Sequence, residues 1–197
     1  MGKGFNQIKL LLFSGILLTA VALTACSSGD SSEHDHKRAQ MTATHIDPRS
    51  VPLYVFQKES KAKDFSMERV NGETFNLANQ QGKVVLLNIW ATWCAPCHEE
   101  TPEFVKMYQD YKDKGLIILG VSMDKQGKSA VEPFMKKYKV NYPVVIDRTG
   151  KVTDKYSADM GIPSSYIIGK DGNLRYYAVG PLTEKELKPK IDKLLAE

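Results

Sequence analysis

Apolar positions along the chain fall into short blocks separated by glycine, asparagine and proline, and the blocks alternate between two periods. Residues 84–90 are apolar almost throughout, without the in-out alternation of a strand wetted on one face. They predict a central strand covered on both sides. Beyond residue 97 the spacing becomes helical to about Lys112, with Phe104, Val105, Met107, Tyr108 and Tyr111 on buried faces and Pro102 expected to kink the helix. Residues 116–121 form the next apolar block, and a helix between two such strands implies a parallel pair in right-handed connection. A second helix fits residues 129–138, with Ala130, Val131, Phe134, Met135 and Tyr138 on one side and four lysines on a solvated face.

Shorter blocks fill in the rest. Residues 143–147 read as a short strand, closed by Thr149-Gly150. Asn71-Gly72 joins 65–70 to 74–77 as a hairpin, and Asp171-Gly172 joins 166–168 to 174–179 in the same way. Near the end, Thr183 and Glu186 have capping-box spacing before Leu187, Ile191, Leu194 and Leu195. Pro189 fits poorly inside that helix: either the helix kinks there, or it starts at Pro189. Residues 51–56 are apolar enough for an edge strand, against which Pro52 argues.

The N-terminus is of another kind. Lys3 and Lys9 precede an apolar run from 10 to 23, and no acidic residue comes before Asp30. That is a signal-peptide pattern over residues 1–25, and the run is shorter than the ~20 residues of a spanning helix. Its end, Leu23-Thr24-Ala25-Cys26, resembles the bacterial lipobox, which implies cleavage before Cys26 and lipidation of its thiol. The alternative is ordinary cleavage near Ala25, leaving a free cysteine. Residues 26–60 then comprise the lipid anchor site and a flexible linker; His34, His36 and His45 lie in it and read as solvated.

Composition adds few constraints. The 197 residues are 42% hydrophobic and 25% charged, as in an ordinary soluble domain with extensions. Without Lys3 and Lys9 the 27 basic residues become 25 against 23 acidic ones, a formal charge of +2, and no basic patch points to nucleic acid. Three cysteines are an odd number for an exported chain. If Cys26 carries lipid, the other two form a pair.

Cys94-Ala95-Pro96-Cys97 directly follows the central strand and opens a helix with Pro96 and a cluster of acids. A thiol at a helix N-terminus faces unsatisfied N–H groups, which stabilise its thiolate. Cys94 is therefore expected to be the exposed nucleophile and Cys97, one turn inside, the thiol that resolves a mixed disulfide.

Trp93-Cys94-Ala95-Pro96-Cys97 after an apolar strand resembles the thioredoxin superfamily, and the surrounding sequence from about Ala62 is similar to the TlpA/ResA-like membrane-tethered thiol-disulfide oxidoreductases. The resemblance implies an α/β thioredoxin-like fold over residues 61–197: a central mixed sheet flanked by helices, with an N-terminal hairpin and the helix at 129–138 as a central insertion. It also implies a cis peptide at Pro163 facing the cysteines, with Ile162 offering backbone groups to an extended substrate and Trp93 shaping the thiol surface. Its other implications are reduction of disulfides in exported proteins such as apocytochrome c, electrons from a membrane thiol donor, a monomer, and no cofactor. An oxidase or isomerase is the alternative direction.

Resolution of a mixed disulfide requires buried Cys97 to lose a proton. Thioredoxin has a buried Asp six residues before its first cysteine; this chain has Asn88, which cannot titrate and reads as a hydrogen-bonded strand residue. Of Glu99, Glu100 and Glu103, only Glu100 lies three residues after Cys97 on its face, and it matches the active-site glutamate of ResA-like proteins. Favourable interaction with the helix dipole would equally account for all three acids, and Glu99 and Glu103 read as solvated. Two rival functions lack the residues they require. Peroxiredoxins need Pro and Thr where this chain has Leu87 and Ala91, and a copper chaperone needs a distal His, whereas no histidine follows His98.

Overall fold

The computed structural model describes residues 50–156 and 160–197. The expected signal peptide, Cys26 and the three linker histidines lie outside the described residues. Among the described residues no helix is long and apolar enough to cross a membrane.

The described residues form eight strands, β1 (Tyr54–Val55), β2 (Ser66–Glu68), β3 (Thr74–Asn76), β4 (Val84–Trp90), β5 (Leu116–Ser122), β6 (Val144–Ile146), β7 (Ser164–Ile168) and β8 (Leu174–Val179), and three α-helices, α1 (Ala95–Tyr111) after β4, α2 (Lys128–Tyr138) after β5 and α3 (Glu184–Ala196) after β8. Six strands form one mixed sheet in the order β1-β8-β7-β4-β5-β6, while β2 and β3 form a separate hairpin. β4 is flanked by β5 in parallel and β7 antiparallel, and all seven of its residues are buried. This is the thioredoxin-like α/β fold.

The period-two geometry of β4 divides the core. Val84, Leu86 and Trp90 enter a cluster with Phe104, Met107 and Tyr111 of α1, Val131 and Phe134 of α2, and Leu187, Ile191 and Leu194 of α3. Val85, Leu87 and Ile89 pack on the other face against Phe65, Phe75, Val152 and Tyr156. Gly120, in the middle of β5, leaves space for the Trp90 indole: a Cβ there would lie 2.9 Å from Trp90 Nε1. Trp90 in turn packs on Phe134, with ring centroids 4.5 Å apart.

Several boundaries differ from the sequence expectation. β7 starts at Ser164 because Ser164 and Ser165, polar but buried, find partners inside: Ser164 Oγ donates to Gly161 O, and Asn88 Nδ2 donates to Ser165 Oγ. The α3 helix runs through Pro189 rather than starting there, because Pro189 is exposed while Leu187, Ile191 and Leu194 anchor both halves. Pro102 likewise lies within the continuous span of α1. Residues 51–60, within the expected linker 26–60, dock on the domain, and the edge strand that the apolar residues 51–56 suggested forms despite Pro52. β1 pairs with β8, Val51 N donates to Glu186 Oε1, and Leu174 N donates to Ser60 O.

Glu186 therefore has two tasks, since its Oε2 also accepts from Thr183 N (2.8 Å) and Thr183 Oγ1 (2.9 Å) at the α3 N-cap. We expect Glu186→Ala to lower the unfolding free energy by ~1–2 kcal/mol, measured by urea denaturation. Proteolysis near residues 51–60 should accelerate in parallel.

Candidate active site

β4 carries the chain out of the core into a tight turn, in which Cys94 N donates to Ala91 O at 3.2 Å, and α1 follows at once. Cys94 is the N-cap, extended at φ −86° and ψ 105°, and Cys97 N donates back to Cys94 O at 3.1 Å. The two sulfurs are joined at 2.06 Å with Cα atoms 5.3 Å apart. Cys94 retains 5% of its surface and Cys97 none, so the expected order of access holds, although the first thiol is far less exposed than the sequence suggested. Trp93 beside it is 68% exposed.

β7 supplies the opposite wall. Ser164 pairs with Ile89 in the ladder, so the preceding Pro163 stands near Trp90 at the end of β4 from which the cysteine turn departs. The Ile162–Pro163 peptide is cis, as the family resemblance implied. Pro163 O accepts from Gly180 N at 2.8 Å, which ties this corner to the end of β8. Among the described residues no hydrogen bond engages the Ile162 backbone.

Beneath the pair runs a buried polar line. Asn88 lies on the same face of β4 as Leu86 and Trp90, and its Nδ2 donates to Glu100 Oε1 at 2.8 Å and to Ser165 Oγ at 3.1 Å. Glu100 Oε2 accepts from Leu182 N at 3.2 Å, just before α3. Glu100 is 2% exposed, and burial pushes its carboxyl up to about 8, although the hydrogen bonds from Asn88 and Leu182 favour the ionised form. Desolvation outweighs them because the surrounding cluster is apolar.

The other two acids divide. Glu99 is exposed as expected, whereas Glu103 is not simply solvated: its Oε2 accepts from Glu184 N at 2.9 Å and caps α3. None of the three lies in the first turn of α1, because the helix already begins at Ala95. Sequence reasoning did not find the roles of Ser165 and Leu182. Both act through long-range contacts, and Leu182 uses only its backbone, which no side-chain pattern records.

A dithiol/disulfide pair at a helix N-terminus, a cis-proline corner beside it and a buried carboxyl on the same helix define a thiol-disulfide oxidoreductase of thioredoxin fold. The comparisons agree. The AhpC/TSA family profile matches residues 59–177, and the chain belongs to this family. It is similar to the thioredoxin-like protein YneN of Bacillus subtilis (strain 168), 38% identical over 138 residues that cover 69% of this chain and 79% of that protein. It is also similar to the thiol-disulfide oxidoreductase ResA of the same organism, 38% identical over 125 residues, 64% of this chain and 69% of the relative. Among solved structures, a putative thiol:disulfide interchange protein DsbE from Chlorobium tepidum matches with a TM-score of 0.65 at 28% identity, over 71% of this chain and 99% of that one. StoA from Bacillus subtilis matches with a TM-score of 0.58 at 28% identity, over 68% and 97%.

The raised Glu100 carboxyl has a signed consequence for stability. Its folded value of about 8 exceeds the ordinary 4.5, so between these values the folded state holds a proton that the unfolded state releases. Stability should fall as pH rises through that window, by an amount on the order of a few kcal/mol. In Glu100→Gln this decline should largely vanish, as measured by urea midpoints of the oxidised protein from pH 5 to 9.

Proposed function

We propose that this protein is a lipid-anchored, extracytoplasmic thiol-disulfide reductase in which Cys94 attacks, Cys97 resolves and Glu100 takes the Cys97 proton. The observation that carries the reading is the graded burial of a disulfide at the α1 N-terminus, with Cys94 retaining 5% of its surface and Cys97 none. In the reduced protein the Cys94 thiolate attacks a substrate disulfide, forming a mixed disulfide and releasing one substrate thiolate. Cys97 then passes its proton to the Glu100 carboxylate and attacks Cys94 Sγ. The second substrate thiolate leaves and the Cys94–Cys97 disulfide remains. A carboxyl that titrates at about 8 is close to an ordinary thiol at roughly 8.5, which suits proton transfer between them.

Trp93, Ile162 and Pro163 are the substrate-docking residues in this reading. The Ile162 backbone, which makes no hydrogen bond among the described residues, supports it, since an extended segment can pair there in the manner of an added strand. Lipidated Cys26 holds the domain at the membrane. Disulfides of exported proteins, apocytochrome c among them, are the substrates, and a membrane thiol donor restores the dithiol. A peroxidase is disfavoured because Leu87 and Ala91 are fully buried apolar residues in two different core clusters.

The direction of electron flow is tested by equilibrating the Cys94/Cys97 couple with dithiothreitol or glutathione buffers. A potential near or below roughly −270 mV fits a reductant, and one near roughly −120 mV would make the protein a disulfide donor instead. Cys94→Ser should abolish mixed-disulfide formation, and Cys97→Ser should trap it; insulin reduction by Cys94→Ser would sink the assignment. Glu100→Gln should slow resolution and remove the rise in its rate as pH passes about 8, with the fold intact.

A further inference from the structure

Thr92 separates the end of β4 from Trp93 and Cys94, and all of its polar groups are engaged. Its N–H donates to Asp124 Oδ2 at 3.0 Å and its hydroxyl donates to Asp124 Oδ1 at 2.5 Å. Its carbonyl accepts from His98 Nε2 at 2.7 Å. Asp124 is completely buried just beyond β5, where Ser122 Oγ also donates to Oδ2 at 2.7 Å. Met123 N, next to it, donates to Trp90 O at 2.9 Å. His98 stands on α1, and its ring rests against Phe134 and Tyr138 of α2, with centroids 5.2 and 5.5 Å away.

Both arms of this grip come from one place. Asp124 opens the connection from β5 into α2, its carbonyl accepting from Gly127 N at 3.1 Å immediately before the helix, and α2 supplies the aromatic rings that hold His98. We infer that the β5–α2 segment is a positioning device for the nucleophile: Asp124 and His98 clamp Thr92, and thereby hold Cys94 aimed at the α1 N-terminus. The inference rests on the reading of Cys94 as the attacking thiol.

The physical need is plain. A thiolate at an N-cap is stabilised only while its sulfur stays in line with the free N–H groups of the first turn, and that interaction falls off within a turn. Reduction breaks the 2.06 Å bond that ties Cys94 to Cys97, so the disulfide no longer fixes the sulfur. The turn that carries Cys94 also carries a largely exposed Trp93, which offers little packing to restrain it. Fixing Thr92 at its nitrogen, hydroxyl and carbonyl supplies the restraint from the protein side. Asp124 and His98 do not touch the reacting sulfur in this account; they act through Thr92.

The test compares Thr92→Val, which keeps shape but loses the hydroxyl donor, with Thr92→Ser, which keeps the donor, in the reduced full chain. Iodoacetamide alkylation of each cysteine is followed across pH by peptide mass mapping. We expect Cys94 alkylation at pH 7 to slow roughly three- to tenfold in Thr92→Val, the scale of one buried hydrogen bond, with its titration moved to higher pH. The reduction potential should become more negative, because the thiolate form is less stabilised. Thr92→Ser should remain within about twofold of the parent. His98→Phe, which keeps the ring against α2 but removes the donor, should shift Cys94 in the same direction and provides the readout if Thr92→Val does not fold. Unchanged Cys94 titration in folded Thr92→Val, or equal losses in the Val and Ser variants, would overturn the clamp while leaving the nucleophile assignment standing. If Cys97 rather than Cys94 is the fast thiol of the parent protein, both readings fall.

Discussion

A reactive thiol and a dry partner have to sit side by side, one at the mouth of a helix and the other inside it, and that constraint organises the molecule. It is met by burying β4 on both faces between a parallel and an antiparallel neighbour, so that the chain leaves the sheet at a rigid point. The turn at Ala91 to Cys94 then has a fixed origin, and α1 a fixed start. Loosening β4 would displace both sulfurs at once. The tight fit of Trp90 over Gly120, at the end of the strand nearest the cysteines, belongs to the same requirement.

Within that frame one group of departures from an apolar core centres on Asn88 and Glu100, while Asp124 and Asp147 are buried acids elsewhere in the domain. Asn88, Glu100 and Ser165 are buried polar residues beside a cluster made of apolar and aromatic side chains. Such groups are tolerated when each finds a partner, and these bond to one another and to the Leu182 N–H. The arrangement lowers stability at neutral and higher pH, because burial pushes the Glu100 carboxyl up to about 8. Breaches of core rules of this kind are expected where a protein does chemistry.

α2 would look like decoration from its solvated lysine face alone. Its inner face, however, touches Trp90 and His98, and the segment leading into it bears Asp124. A helix inserted between two strands of the sheet thus contacts the active-site turn from one side, while β7 and its cis-proline corner approach from the other. The N-terminal segment is fastened through β8 and Glu186 at the edge of the sheet, with Val51 set against Gly180.

Much of this was readable in advance because local pattern and local chemistry coincide. A seven-residue run that is apolar but for Asn88 reads as a doubly covered strand or a buried helix, and the Cys-x-x-Cys that follows, with Pro96 between its cysteines, selects the strand followed by a helix start. The i, i+3 spacing alone put Glu100 on the face of Cys97. Other features were outside its reach, because they depend on which distant groups the fold brings within hydrogen-bonding distance. Nothing near Glu103 indicates that it caps α3, and nothing near Ser164 and Ser165 says that two serines begin a buried strand. The continuity of α3 through Pro189 was left open by helix rules and decided by apolar anchors on both sides of it. The same holds for Thr92: its sequence marks it only as a turn residue, while Asp124, 32 positions away, and His98, braced by α2, make it a fixed point. Periodicity, turn residues and the spacing of thiols are properties of neighbours along the chain, so the sequence by itself determined the strands, the helices and the reactive pair. Burial and hydrogen bonding between remote residues exist only once the chain is packed, and they decided which polar groups surround that pair.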